Sequence, residues 1–145
     1  MNGLSKVLAI KIIVTITMWG IPLLFFPSSL LHWLGFPVPE PQLFLRLLGM
    51  AYLALVVGYS FGLRAALQGN YPNGVVWMGI VSNGGAFLLL LIGAFLGVWQ
   101  SWGGIAQAIM WSSVLVTCCI TAGLVASGPL GAHTSQSSKD SKNPT

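Results

Sequence analysis

Four long runs of apolar residues, at about 7–26, 43–63, 75–97 and 104–126, dominate the chain, and each is long enough for a helix to cross a hydrocarbon layer roughly 30 Å thick. The runs are continuous rather than alternating, and each is about twice the length of a barrel strand, so they predict helices and argue against a β-barrel. Lipid favours the same choice, because a helix bonds its backbone N–H and C=O groups within its own segment. Polar, turn-forming pieces separate the runs: Pro27-Ser28-Ser29 through Pro37-Val38-Pro39-Glu40-Pro41, then Gln68 through Gly74, then Trp99-Gln100-Ser101-Trp102-Gly103. Inside the first of these, Ser28 through Gly35 reads as a short interfacial helix. Ser127-Gly128-Pro129 stops the last run, and residues 132–145, rich in Ser, Lys and Asn and without a large apolar side chain, predict a disordered tail.

The expected fold is an all-α integral membrane protein, an antiparallel four-helix transmembrane bundle occupying residues 1–131, with adjacent helices paired through short connections. Composition agrees: 55% of the 145 residues are hydrophobic and 6% charged, against roughly 25% charged in a soluble domain, which excludes an ordinary water-soluble fold. No internal repeat relates the first helix pair to the second, so an inverted-repeat transporter is not indicated. The net charge of +4 is scattered along the chain, which argues against a nucleic-acid surface.

Charge does decide the expected orientation. Lys6, Lys11, Arg64, Lys139 and Lys142 fall on one side of a four-span topology and Arg46 on the other, so both termini and the tail 132–145 are expected to be cytoplasmic. Trp33, Trp99 and Trp102 lie in the two outer connections, where indole rings favour the headgroup layer. Lys11 sits about one turn inside the first run, and its ammonium is expected to snorkel back to the interface along its own methylenes. Lys6 and Lys11 ahead of an apolar stretch also suit a signal peptide, but the run ends in Phe25-Phe26-Pro27 without a small-x-small cleavage site, and three more runs follow.

Candidate chemistry is sparse. An arginine inside a span is costly, so Arg46 either snorkels or faces inward, where it would form the polar end of a pocket near Glu40, Gln42, His32 and Gln107. Glu40 and Arg46 also suit a structural ion pair. A deeper set, Thr15, Tyr52, Asn83 and Thr117, falls within about a turn of the midplane, one residue per helix. These are expected either to hydrogen-bond between helices or, with Asn83 beside Gly84-Gly85, to line a small ligand cavity. The expected ligand-binding residues are therefore Arg46, Tyr52, Asn83 and Glu40.

Gly58-x-x-x-Gly62 and Gly93-x-x-x-Gly97 permit close helix approach and are read as packing within the chain. Cys118 and Cys119 are adjacent in a helix, where their side chains diverge, and are expected to be buried and unpaired rather than a disulfide or zinc site. No HExxH, GxSxG, Walker or CxxC pattern is present and the chain has two side-chain carboxylates, so hydrolytic or metal catalysis by this chain alone is not expected, nor is a cofactor.

Pro27, Leu30-Leu31, Leu34-Gly35 and Pro37, followed by Arg46-Leu47-Leu48-Gly49 at the start of the second run, resemble the DoxX-like class of small four-helix bacterial membrane proteins over about residues 7–126. The resemblance implies a membrane bundle; some members of that class are associated with quinone-linked sulfur oxidation, and the distantly similar EXPERA bundles bind sterols in a cavity between helices. The expected role is a binding or accessory component of the membrane. The alternatives are a small transporter or lipid-binding protein and a membrane subunit of a quinone-linked redox enzyme. Expected partners are the lipid bilayer and either a hydrophobic small molecule or another membrane subunit, with no nucleic acid.

Overall fold

The computed structural model describes residues 3–128; the expected tail at 132–145 lies outside the described residues. Every described element is a helix, and four helical stretches are long and apolar enough to cross a membrane: Gly3–Phe25, Leu43–Leu67, Asn73–Phe95 and Gly104–Ser127. The first comprises α1 (Gly3–Val14), a π-helical turn over Thr15–Gly20, and α2 (Ile21–Phe25). A short α3 (Ser28–Trp33) follows, then α4 (Leu43–Leu67), α5 (Asn73–Phe95) and α6 (Gly104–Ser127).

The boundaries differ from the expected ones where polar residues sit within helical turns. The first helix starts at Gly3 rather than near residue 7, because Gly3-Leu4-Ser5 packs against the end of α6, with Gly3 beside Ser127 and Leu4 and Ser5 buried. Similarly, α4 runs past Arg64 to Leu67 and seals its end through backbone bonds from Gln68 and Asn70. The π turn arises just before Pro22, whose ring lacks an N–H and would collide with the carbonyl four residues back in an unbroken α-helix. Widening the turn absorbs that conflict, and Thr17 occupies a spare acceptor by donating to the Ile13 carbonyl at 2.8 Å.

The long helices form a ring: the first helix packs on α4 and α6, and α5 on α4 and α6, while the two diagonals, first helix to α5 and α4 to α6, do not meet. We call proximal the end where Gly3 lies beside Ser127 and Gly128 beside Tyr71, and distal the end where Gly35 lies against Gly103. The buried core belongs to the proximal half, where Leu4, Leu8, Tyr59, Ala66, Val76, Ile120 and Leu124 pack together. Glycines bring the backbones close there: Gly62 faces Val75, Gly58 faces Met78, Gly79 faces Leu124, and Gly123 faces Val7. The Gly58 and Gly62 pair thus serves packing within the chain.

At the distal end, α3 and the segment after it lie across the bundle and are tied to the connection before α6. Gly35, at φ +88°, accepts a backbone hydrogen bond from Gly103 N–H at 3.0 Å. The two glycine backbones approach so closely that a Cβ on Gly35 would come within 2.5 Å of Gly103 Cα. Phe36 and Trp102 meet edge to face across the same contact, with ring centroids 5.8 Å apart.

Two surface expectations are corrected. Trp99 is 4% exposed, packed on Gly93 and against Trp102 and Trp111, so it is a buried wedge in the α5–α6 connection rather than an outward anchor; Trp33 is exposed. Cys118 and Cys119 are both exposed rather than buried, because the inward face of α6 is taken by Ser113, Thr117, Ile120 and Leu124 at helical spacing.

Candidate functional site

The distal half is hollow. A cavity of about 760 Å³ extends from the α3 cap down the axis of the ring, and all four long helices contribute to its wall. Its roof is Leu31 and Leu34 of α3 and its flank, with Phe36, Pro37, Val38 and Trp102. Its sides are largely apolar: Met18 and Leu23 on the first helix, Leu48 and Leu55 on α4, Ala86 and Leu90 on α5, and Met110 and Val116 on α6. Leu48 of α4 and Leu89 of α5 line the cavity while being 46% and 73% exposed, so it opens sideways between the distal halves of these two helices. In keeping with that opening, α5 packs far more extensively on α6 than on α4.

The floor is set by the most proximal lining residue of each helix: Lys11, Tyr59, Ser82 and Ile120. Tyr59 is fully buried, and its hydroxyl bonds Ser82 Oγ at 2.8 Å, joining α4 to α5 beneath the cavity. Lys11 is 3% exposed, and its Nζ lies 4.3 Å from the centre of the Tyr59 ring, over a π face that attracts a cation. No described residue accepts a hydrogen bond from it or pairs with it. The expected snorkel is therefore corrected: with the helix starting at Gly3, Lys11 lies about 12 Å along the axis instead of one turn inside, too deep for its stem to reach the near end.

The π turn places Thr15, Thr17, Met18 and Trp19 along the cavity, and Trp19 stacks on Tyr52 at 6.0 Å between centroids. The four deep polar residues, Thr15, Tyr52, Asn83 and Thr117, all line this one space. Asn83 and Thr117 do not bond across helices. Asn83 Nδ2 donates to the Gly79 carbonyl of its own helix at 2.7 Å, and Thr117 Oγ1 donates to Ser113 O at 2.7 Å. Among the described residues, no side chain or backbone group donates to the Asn83 amide oxygen.

Of the remaining expected site residues, Arg46 faces inward but not into the cavity. Its guanidinium donates to the carbonyls of Leu23 at 2.9 Å and Phe26 at 2.8 Å, and to Gln42 Oε1 at 2.8 Å. The last carbonyls of a helix have no partner within it, and the planar fork of Arg46 supplies donors to that end of α2. Glu40 is exposed and is not among the partners of Arg46, nor are His32 and Gln107. Gln107 instead pins the preceding connection, donating to the carbonyls of Gln100 at 3.0 Å and Trp102 at 2.9 Å. The structure thus brings Tyr52 and Asn83 together around one cavity and leaves Arg46 and Glu40 outside its lining.

Sequence reasoning passed over Lys11, Trp19, Tyr59 and Ser82. The one signal that could have found them was Pro22 inside an apolar run, marking a local break in the first helix. Compared with family models, curated proteins and solved structures, the chain matches none.

Proposed function

We propose that this chain is a multi-pass membrane protein, an antiparallel four-helix bundle that binds a small hydrophobic or amphiphilic molecule in its distal cavity. The observation that carries the reading is the cavity of about 760 Å³, which falls within the usual range for ligand pockets and is walled by apolar side chains around a few polar ones. Membrane embedding is supported by the four apolar helices and by large side chains that point outward along them, among them Ile13, Phe44, Phe61, Val81, Leu88 and Leu115. An opening between α4 and α5 at the level of lipid gives a hydrophobic molecule a path that avoids water. The orientation with both termini cytoplasmic rests on Lys6, Arg64, Lys139 and Lys142 against Arg46, since Lys11 belongs to the interior. Resemblance to the DoxX-like class is compatible with such a role and adds no residue to it.

The test is direct. Protein purified in mild detergent is analysed by native mass spectrometry and by uptake of a neutral polyene fluorophore, beside an Ala86→Trp variant in which an indole occupies the cavity. The wild-type chain is expected to retain a bound small molecule and take up the fluorophore, and the variant to lose both while its helical circular dichroism is unchanged. A wild-type chain that carries nothing and takes up no more fluorophore than the variant would overturn the reading.

A further inference from the structure

The cavity floor holds an ammonium without an anion. Lys11 lies deep in the bundle, 3% exposed, on the cavity wall, and among the described residues it has neither a hydrogen-bond acceptor nor a carboxylate beside it. The chain has two carboxylates: Glu40 is exposed at the distal end, and Asp140 falls outside the described residues. Contact with the Tyr59 ring, Nζ 4.3 Å from its centre, compensates part of the charge and leaves the cavity side of the ammonium unsatisfied. Ionisable groups at such depth are costly and ordinarily find a partner.

We infer that the partner is the ligand: Lys11 binds the anionic head of a single-chain amphiphile, a monocarboxylate of the fatty-acid type, whose apolar body runs up the cavity toward the α3 cap. The assignment rests on the cavity reading above and names its ligand class. One cation on the floor matches one negative charge, whereas a phosphate monoester would bring a second charge that nothing there neutralises. The space above Lys11 suits an acyl chain. Fifteen residues separate Lys11 from Phe26, which follows the distal end of α2, about 20 Å along the helix, and the cavity wall is mostly apolar. The hydroxyl of Thr15, one turn along from Lys11, adds a donor at the head's end, and the sideways gap beside Leu48 and Leu89 admits the molecule from lipid.

The experiment compares palmitate with its methyl ester, which share a chain and differ in charge, on the full-length protein and on Lys11→Met. The wild-type chain is expected to bind the acid about tenfold or more tightly than the ester, the margin of a charge-assisted hydrogen bond. Lys11→Met is expected to bind the two alike, its ester affinity preserved and serving as the report of an intact cavity. Equal affinity of the wild-type chain for acid and ester overturns the Lys11 assignment and leaves the cavity reading standing, as does an acid preference that survives in Lys11→Met. If the wild-type chain binds neither molecule, both the assignment and the cavity reading fail for such amphiphiles. Should Lys11→Met fail to fold, Lys11→Gln, also uncharged, takes its place in the same comparison and is held to the same outcomes.

Discussion

The proximal and distal halves of this bundle are built from the same four helices with the same ring order, yet one is filled and the other hollow. In the proximal half the axis is occupied by Leu8, Tyr59 and Leu124, all fully buried, and glycines at 58, 62, 79 and 123 let neighbouring helices close around them. In the distal half the inward positions carry Ala86, Ser113 and Thr117, too small to reach across, and α4 and α5 leave a gap. The difference teaches that ring order alone does not make a cavity here; side-chain size along the axis and the spacing of α4 and α5 do. In the proposed membrane setting the contrast matters more than in water, because packing rather than burial drives helix association there.

Stability measurements sharpen that contrast. The largest effect is expected for Leu124→Ala, which empties a fully buried site among closely packed neighbours and should cost about 3 kcal/mol, while Leu90→Ala, on a wall that already borders empty space, should cost well under 1 kcal/mol. Thermal unfolding of both variants in the same detergent reads the difference; equal losses would mean that the distal half is as well packed as the proximal.

A second variant addresses the distal cap. Gly35→Ala combines a left-handed backbone with a Cβ driven into Gly103 and should cost about 2 kcal/mol, felt mainly where the two connections meet. Hydrogen exchange at Gly103 and the emission of Trp102 are expected to show local opening, with amides of the proximal core still protected. Loss of protection throughout would show instead that the cap holds the whole bundle together.

A smaller effect than that of Gly35→Ala is expected at Arg46. Replacement by Lys keeps the charge and loses the fork that reaches Leu23, Phe26 and Gln42 together, at an expected cost of about 1 kcal/mol, with palmitate and ester affinities unchanged. A changed ligand preference with unchanged stability would move Arg46 from capping a helix to contacting the ligand.

Much of the fold was legible because length and charge are strong signals: no soluble element needs twenty apolar residues in a row, and the four long helices fall close to where those runs lie. The ends were less legible. A run begins where polar residues stop, whereas a helix begins where its turns find contacts, and Ser5 and Lys6 are helical because Gly3 and Leu4 pack on α6. That displacement of the start changed the meaning of Lys11 from an interfacial cation to an interior one. The candidate site was half readable. Counting depth along each helix placed Tyr52 and Asn83 at one level, but not the direction of Arg46, which depends on where the carbonyls at the end of α2 come to lie.

The ring order has a consequence for how such a chain diversifies. With no helix on the axis, the hollow has no backbone in it, and its length and girth are written in a handful of inward side chains. Exchanging Ala86 for a bulkier residue is expected to shrink the chamber, and trimming Leu55 or Val116 to enlarge it. Under the proposed binding role, the size of the guest is then set by a few inward side chains and not by the course of the helices.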